Sequence, residues 1–266
     1  MPSLLNMIEL QSLGKKFYKD KSNLEVVSNI SLAFKAHSFT ALIGPSGCGK
    51  STLLNMIAGL YKPTSGEILY NSRQIIGVNT DVGYMTQKDN LLPWRTILDN
   101  VALPLEIAGV PKKQRHEQAR SILQQVDLSG FENKYSSELS GGMRKRACLA
   151  RMLLYKPKIL LLDEPFAALD AQLRIAMHEL LLRLWEEYKQ TIILVTHDLI
   201  EAVSLADRVI VFSPRPASVA FQKEVDLARP RDVLQVRFTK EFQNIHNTIW
   251  DYLQQQYAAD RLTYAK

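Results

Sequence analysis

The feature that most constrains the fold is a glycine-rich segment that directly follows a run of apolar residues. Residues 44–52 read Gly-Pro-Ser-Gly-Cys-Gly-Lys-Ser-Thr, the complete phosphate-loop pattern G-x-x-x-x-G-K-[ST], and residues 39–43 before them read Phe-Thr-Ala-Leu-Ile. Glycines let the backbone turn its N–H groups around a phosphate, and a helix that begins near Lys50 points its positive end at the same anion. The segment predicts nucleotide binding on a strand–loop–helix unit.

Two side chains of this segment add to the chemistry of its backbone. Lys50 brings a mobile positive charge to the phosphates, and Ser51 offers a hydroxyl oxygen to Mg²⁺. A glycine-rich turn without a ligand is the alternative, which the preceding apolar strand disfavours. The residues expected to hold the nucleotide here are Gly44, Pro45, Ser46, Gly47, Cys48, Gly49, Lys50, Ser51 and Thr52.

The composition suits one large α/β domain, because 46% of the 266 residues are hydrophobic and 23% are charged. No stretch approaches the roughly 18 uninterrupted apolar residues of a membrane helix, so we expect a protein that is kept in the cytosol. The net charge of +6 is scattered, which favours a solvated or membrane-proximal surface over a nucleic-acid site. Cys48 and Cys148 lie too far apart for a CxxC metal site, and we expect reduced thiols.

Apolar periodicity predicts the elements around the phosphate loop. Val27, Ile30, Leu32 and Phe34 nearly alternate with polar residues, which indicates a half-exposed antiparallel strand. Continuous apolar runs predict strands of a parallel core sheet buried on both faces, at residues 39–43, 159–162, 192–195 and 209–212. Helical periods are found at residues 97–107, 111–126, from 141 onward, 170–188 and 242–257.

These patterns predict an α/β fold with a parallel core sheet, an N-terminal antiparallel β subdomain and an inserted α-helical subdomain. The whole of residues 1–266 is expected to form one domain. Its predicted parts are an α/β core with the antiparallel β part (1–87 and 156–213), a helical subdomain (88–155) and a C-terminal extension (214–266).

Two adjacent carboxylates end the apolar run at residues 158–165, Lys-Ile-Leu-Leu-Leu-Asp-Glu-Pro. Successive side chains of a strand point to opposite faces, so Asp163 and Glu164 can serve different partners. Asp163 is the candidate Mg²⁺ ligand, and Glu164 is the candidate base that polarises an attacking water. An acidic strand end that faces solvent is the alternative.

Residues 139–143, Leu-Ser-Gly-Gly-Met, predict a second anion site in front of a helix. Ser140 is placed as the N-cap, and Gly141 and Gly142 bare the first amides of the helix. Taken alone, such a segment is more often an ordinary loop and cap. Two phosphate-facing helix ends imply either two nucleotides in one chain or one nucleotide shared between subunits, and the spacing leaves both open.

The order of these elements resembles the nucleotide-binding subunit of an ABC transporter over nearly the full chain. The resemblance is carried by the phosphate loop, Tyr84-Met-Thr-Gln87, Leu139–Met143, Asp163-Glu164, Ala168-Leu-Asp170 and Val195-Thr-His197-Asp. It implies a P-loop NTPase fold with a RecA-like core, the cofactors ATP and Mg²⁺, and ATP hydrolysis coupled to transport. The chain departs from the family pattern where Met143 replaces the usual glutamine and where His37-Ser38 replaces Gly-Glu.

The resemblance implies an ATP-sandwich dimer. In that family two subunits pack head to tail, and the signature residues of one subunit close over the γ-phosphate held by the other. Here those residues are Ser140, Gly141 and Gly142, and Asp170 would link the two sites across the dimer.

Further roles follow from the same resemblance. Gln87 would sense Mg²⁺ and the permease, and His197 would steady the γ-phosphate and the water. Without the resemblance, these two residues are an ordinary loop amide and an ordinary strand-end histidine. Phe17 or Tyr18 would stack on adenine, and the spacing slightly favours Phe17.

A lone nucleotide-binding domain looks like an importer subunit. Residues 90–96, Asn-Leu-Leu-Pro-Trp-Arg-Thr, resemble the nitrate/sulfonate/taurine importer ATPases, and a pyrimidine-precursor importer group shares such features. The implied partners are permease subunits at the cytoplasmic face of the inner membrane, a second copy of the chain and, indirectly, an extracytoplasmic solute-binding protein, with no nucleic acid. Trp94 would lie by the groove that receives a permease helix, and a buried core tryptophan is the alternative.

Two other protein classes share part of this pattern. ABC ATPases that act on DNA carry a long coiled coil between the phosphate loop and the signature, and ribosomal members hold two cassettes in one chain. A small-molecule kinase would share the phosphate loop but gives no reason for the signature or for His197. The sequence therefore favours a transporter subunit, whose cargo it does not identify.

Overall fold

The structure, a computed structural model of the chain, describes residues 6–19 and 22–264. The chain divides into two compact units. The first unit comprises residues 1–78 and 193–266, and the second unit comprises residues 79–192. Within the described ranges, every helix is too short or too polar to cross a bilayer.

Strands and helices are numbered along the chain. The described strands are β1 (Asn6–Lys19), β2 (Ser22–Lys35), β3 (Phe39–Ile43), β4 (Ser65–Tyr70), β5 (Arg73–Gln74), β6 (Val82–Met85), β7 (Ile159–Asp163), β8 (Thr191–Val195), β9 (Arg208–Phe212) and β10 (Val219–Glu224). The described α-helices are α1 (Lys50–Ile57), α2 (Ile97–Ile107), α3 (Lys112–Gln125), α4 (Gly141–Leu153), α5 (Ala171–Tyr188), α6 (Leu199–Leu205) and α7 (Lys240–Tyr264).

The first unit contains an antiparallel sheet with the strand order β2-β1-β4-β5. In the long β1–β2 pair, Leu10 lies opposite Leu32 and Ile8 lies opposite Phe34, and all four side chains are buried. The two-residue period of a strand brings these apolar side chains to one face. This sheet confirms the predicted antiparallel β part.

The parallel region of the first unit has the strand order β10-β9-β3-β8. β3 runs parallel to β9, with Ala41 opposite Val209, and β10 joins the edge of the region in the antiparallel direction. Every residue of β3 and β8 is buried, because parallel strands are covered on both faces. The carboxyl end of β3 leads into the phosphate loop, which α1 follows.

The C-terminal segment packs onto the rest of the first unit. Tyr252 of α7 stacks on Phe221 of β10, with 4.7 Å between ring centroids, and its hydroxyl donates to the Ala220 carbonyl. Burial lowers the pKa of Arg231 to about 10, so this side chain stays charged at neutral pH. Its guanidinium donates to the backbone carbonyls of Ser204, Ala206, Val225 and Leu227.

In the second unit, β6 runs parallel to β7, with Met85 opposite Leu162. The regular elements described between these strands are all helical, as the sequence predicts for residues 88–155. α4 contacts both α2 and α3, and its buried face includes Ala147 and Leu149. The second compact unit contains β6, β7 and α5 as well as these helices. The boundaries of a separate helical subdomain therefore stay a prediction.

The structure confirms the predicted strands and helices, with ends that differ by up to about seven residues, and it adds elements that the sequence patterns do not locate. β10 lies in the predicted C-terminal extension, where the sequence patterns predict no strand. Its residues are half-buried or exposed at the edge of the sheet, so neither a continuous apolar run nor strict alternation marks it. α6 has only seven residues, too few for a helical period to stand out.

Candidate functional site

The phosphate loop has the backbone conformation that its glycines permit. Gly44, Gly47 and Gly49 have φ angles of 153°, 71° and 134°, which are unfavourable for residues with a Cβ. A Cβ on Gly44 would lie 2.9 Å from the Phe212 carbonyl oxygen, and one on Gly49 would lie 2.9 Å from that of Val26. Glycine is therefore required at these two positions by both conformation and space.

Lys50 braces the loop from inside. Its side chain is only 6% exposed, and Nζ donates to the carbonyl oxygens of Gly44 and Pro45, each at 2.8 Å. Lys50 Nζ also lies 3.8 Å from Cys48 Sγ. These contacts hold the buried ammonium inside the loop, where an anion would stabilise it.

The N-terminus of α1 fits an anion. Gly49 is its N-cap, and no side chain caps this helix. Thr96, Ser140, Asp170 and Asp198 cap α2, α4, α5 and α6, while α3 also lacks a side-chain cap. The first amides of a helix need acceptors from elsewhere, and a phosphate oxygen is a suitable one. The glycine cradle, Lys50 and this helix end together fit the phosphates of a nucleotide.

The predicted adenine residues, Phe17 and Tyr18, lie at the end of β1 and differ in their surroundings. Phe17 packs edge-on against Tyr61, with ring centroids 5.8 Å apart, and Lys15 Nζ lies 5.0 Å from its ring centroid. Tyr18 is 69% exposed. Both remain candidates, because one ring is held in place and the other is freely accessible.

His197 follows β8 in the first unit and is exposed. The residues on either side of it are fixed, because Thr196 N–H donates to the Leu42 carbonyl and Asp198 caps α6. Fixed neighbours hold the backbone of the histidine at the carboxyl end of a core strand.

In the second unit, Asp163 ends β7, and Glu164 is the next residue. Glu164 has a φ of 46°, in the left-handed region that non-glycine residues seldom adopt. Such strain is concentrated at functional positions. The Tyr84 hydroxyl lies 3.5 Å from Asp163 Oδ2, which places the end of β6 beside this carboxylate.

The predicted signature and Asp170 lie close to each other. Ser140 caps α4 as predicted, accepting the N–H of Met143 at 3.3 Å, and Asp170 caps α5 by accepting the N–H of Leu173 at 2.9 Å. The Leu173 side chain fills the space in front of Gly142, where an added Cβ would come within 2.4 Å of it. A side chain at position 142 would therefore displace Leu173.

The backbone around Gln87 is tied to α4. Lys145 Nζ donates to the Gln87 carbonyl at 2.6 Å and lies 2.8 Å from Asp89 Oδ1, while Arg144 Nε donates to Asp89 Oδ2 at 3.0 Å. Burial alone raises the pKa of Asp89, but hydrogen bonds from Lys145 and Arg144 outweigh it and hold the pKa below its ordinary value. Cys148 also donates to the Asp89 carbonyl, and burial raises its thiol pKa to about 11.

Trp94 is 72% exposed, so the alternative of a buried core tryptophan is wrong. The loop that carries Trp94 is fixed by the fully buried Asn100 side chain, whose oxygen accepts the Leu92 N–H at 2.7 Å. The Asn100 amide also donates to the carbonyls of Leu92, Arg95 and Thr96. The same unit contains a cavity of about 240 Å³, whose lining residues include Asp89, Pro104, Arg151 and Tyr155.

Sequence patterns missed one residue at the phosphate loop. Arg215, in the loop after β9, donates from Nε to the Gly47 carbonyl at 3.0 Å and makes a second bond to it from Nη2. Pro214 and Pro216 flank Arg215, and 168 positions separate Arg215 from Gly47. A pattern of neighbouring residues cannot reveal a contact between segments so far apart in the sequence.

The first unit thus carries the phosphate loop, both candidate aromatics and His197. The second unit carries Gln87, the signature residues, the Asp163–Glu164 pair and Asp170. Within the second unit the structure brings the Gln87 backbone to α4 and the signature to the start of α5.

Comparison with known proteins adds to this geometry. The profile of the family described as ABC transporter matches residues 27–167. The aliphatic sulfonates import ATP-binding protein of Albidiferax ferrireducens is 46% identical over 222 residues, covering 84% of this chain and 76% of that protein. The nitrate import ATP-binding protein of Synechococcus elongatus is 42% identical over 239 residues, covering 88% of this chain and 36% of that protein. A dimeric post-hydrolysis ATP-binding cassette bound to ADP and phosphate has a TM-score of 0.74 and 31% identity, covering 84% of this chain and 100% of the other.

Proposed function

Because this chain belongs to the ABC transporter family and is an ATPase that powers an importer, we propose the residues, partners and solute class that its activity uses. The observation that carries the proposal is the phosphate loop, in which glycines with positive φ angles, the buried Lys50 ammonium and a helix N-terminus without a side-chain cap converge on one anion site. Each of these three features favours bound phosphate.

The nucleotide is held through its phosphates by residues 44–52. Lys50 exchanges its bonds to the Gly44 and Pro45 carbonyls for bonds to the β- and γ-phosphates, whose charged oxygens are stronger acceptors. Phe17 or Tyr18 stacks on adenine. These contacts bind and orient ATP without changing it chemically.

Hydrolysis depends on residues at two strand ends. Glu164 accepts a proton from the attacking water, and its left-handed backbone conformation sets its side chain apart from that of Asp163. His197 donates a hydrogen bond to the γ-phosphate and orients the water. Gln87 senses Mg²⁺ and the permease.

The donor set also suits Mg²⁺, which prefers hard oxygen ligands and binds through few protein groups together with substrate phosphates. Ser51 has a hydroxyl oxygen, Asp163 a carboxylate and Gln87 an amide oxygen, and these are the residues that would hold the ion. Bound Mg²⁺ would neutralise phosphate charge that develops during the reaction.

The partner of the phosphate loop is the signature of a second copy of this chain. Ser140, Gly141 and Gly142 present the first amides of α4, and Ser140 is exposed although it caps the helix. A two-fold axis would place each signature over the nucleotide of the other subunit, and Asp170 would connect the two sites. One nucleotide shared between subunits then accounts for both helix ends.

The permease subunits dock on the second unit, on the surface around Gln87, Leu91, Leu92 and Trp94. An exposed tryptophan on a loop fixed from below is a suitable anchor for a partner helix. The complex works at the cytoplasmic face of the inner membrane, with a solute-binding protein outside.

The solute is nitrate, a sulfonate, taurine or a related small solute. The relatives named for sulfonate and nitrate import support this class, because each matches more than four fifths of the chain. A pyrimidine precursor is the second candidate, since that importer group shares the sequence features around Trp94.

Lys50→Ala tests the nucleotide site. We expect ATP turnover to fall to background, because the loop loses its internal cation. Lys62→Ala is the matched control, since that exposed lysine lies in the same unit outside the loop. Full residual turnover in Lys50→Ala would contradict the assignment.

A further inference from the structure

We propose that Arg215 is a further nucleotide-binding residue, which fixes the phosphate loop through the Gly47 carbonyl and adds its charge to the polyphosphate site. This inference rests on the proposed function, because it assumes that the loop holds ATP. It assigns a role at the nucleotide to a segment that otherwise reads as the start of the C-terminal extension.

The segment that carries Arg215 packs against three glycines of the phosphate loop. An added Cβ on Gly44 would meet the Phe212 carbonyl, one on Gly47 would lie 3.1 Å from Arg215 Nη2, and one on Gly49 would lie 3.3 Å from the Ala217 Cβ. Residues 212–217 thus form a wall along the loop. A change in this wall would alter the cradle that receives the phosphates.

Hydrogen bonds hold the backbone of this wall in place. Ser213 N–H donates to the Ser218 carbonyl at 3.0 Å, and Ser218 N–H donates to Ser213 Oγ at 3.0 Å, which closes the turn around Arg215. Ala217 is also bridged to β2, because its N–H donates to the Val26 carbonyl at 2.8 Å and its carbonyl accepts from Ser28. The backbone that carries Arg215 is therefore held beside the loop.

The guanidinium itself is exposed, although two of its nitrogens bind one carbonyl oxygen. Nε and Nη2 both point to the Gly47 carbonyl, and Nη1 takes no part in this pair of bonds. A guanidinium stays charged at every pH of interest and binds phosphate oxygens through its planar fork. Its charge lies against the central residue of the loop, where the phosphates of ATP would attract it.

A purely structural role would be different. An arginine that only braced the Gly47 carbonyl would support the loop for every ligand alike. Removing it would lower the affinity for ATP, ADP and AMP by the same factor and would lower the thermal stability of the protein. A charge that acts on the phosphates must matter most for ATP, less for ADP and least for AMP, and its effect must weaken as salt rises. The two roles therefore predict different patterns of affinity.

Calorimetric titration of the full chain with MgATP, MgADP and AMP separates them. We expect Arg215→Gln, which keeps a donor for Gly47 but loses the charge, to weaken MgATP binding about five- to tenfold and AMP binding less than twofold. Arg215→Lys, which keeps the charge, should recover most of the affinity. Arg73→Gln, an exposed change of equal charge in β5 of the same unit, is the control.

The outcomes are distinct. If wild-type protein binds MgATP and Arg215→Gln binds it as tightly as Arg73→Gln does, the proposal for Arg215 is wrong while the nucleotide site stands. An equal loss for ATP, ADP and AMP, with no rescue by Arg215→Lys, would also overturn it in favour of a structural brace. If wild-type protein binds none of the three nucleotides, the proposed function itself fails.

Discussion

Asp89 Oδ1 lies 2.8 Å from Lys145 Nζ, and this ion pair fastens the loop after β6 to the second turn of α4. The lysine is only 4% exposed and also donates to the Gln87 carbonyl. Arg144 joins the same carboxylate to the Leu139 carbonyl, at the edge of the signature. A movement of the Gln87 loop would therefore carry the helix that presents Ser140.

Asp89→Asn should destabilise the protein, because it leaves the buried Lys145 ammonium without its counter-charge. We expect the free energy of unfolding in urea to fall by about 2–3 kcal/mol. Asp127→Asn is the matched control. Asp127 is exposed, and its carboxylate lies 2.8 Å from Arg146, which belongs to α4 as Lys145 does. That exposed pair should contribute less than about 1 kcal/mol, and equal losses in the two variants would contradict a special role for Asp89.

The same pair predicts a pH dependence. The pKa of Asp89 is lower in the folded protein than its ordinary value, so its stabilisation is present above the unfolded pKa of about 3.9 and is lost as pH falls through the folded pKa. The difference in unfolding free energy between wild type and Asp89→Asn should thus be constant near neutral pH and shrink below about pH 4. A difference that stays constant down to pH 2 would refute this.

Glu164→Gln should slow ATP hydrolysis by about 10²-fold or more while nucleotide affinity is kept, because glutamine cannot take a proton from water. Single-turnover hydrolysis and equilibrium binding measure the two effects separately. Loss of binding together with turnover would show that the roles of Asp163 and Glu164 are assigned the wrong way round.

Ser140→Arg should block formation of the ATP-dependent dimer, because it places bulk and charge at the exposed signature cap. In sedimentation with MgATP, the Glu164→Gln protein should form dimers and the doubly changed protein should remain monomeric. Ser137→Arg, the same change three residues earlier, is the control and should still dimerise. Monomers in all samples would count against a shared site.

Trp94→Ala should weaken binding to the permease or uncouple transport, while the isolated subunit keeps its stability and basal ATPase activity. The side chain is exposed, so its removal leaves no cavity. Trp185 is the contrasting control, because it is 5% exposed and donates from Nε1 to the Gln190 carbonyl. Trp185→Ala should lower stability by about 3–5 kcal/mol. Normal transport by Trp94→Ala would place the docking surface elsewhere.

Much of the fold could be predicted because its signals are local. Apolar runs marked β3, β7, β8 and β9, and helical periods marked α2 to α5, since burial on two faces or on one helix stripe leaves a pattern within a few residues. The Ser140 cap was also predicted, because an N-cap depends on a residue and the N–H three positions later. β10 lacked such a pattern because it lies at a half-exposed edge.

The sequence by itself determined the phosphate loop, since glycines at positions 44, 47 and 49 permit the positive φ angles that the loop needs. Only the tertiary structure decided which side chains brace that loop and which face solvent. The contact of Arg215 with Gly47 spans 168 residues, and that of Lys145 with Gln87 spans 58. The exposure of Trp94 likewise depends on the buried Asn100 that holds its loop. Contacts of this kind arise from how distant segments pack together, and a local pattern of residues contains no record of that packing.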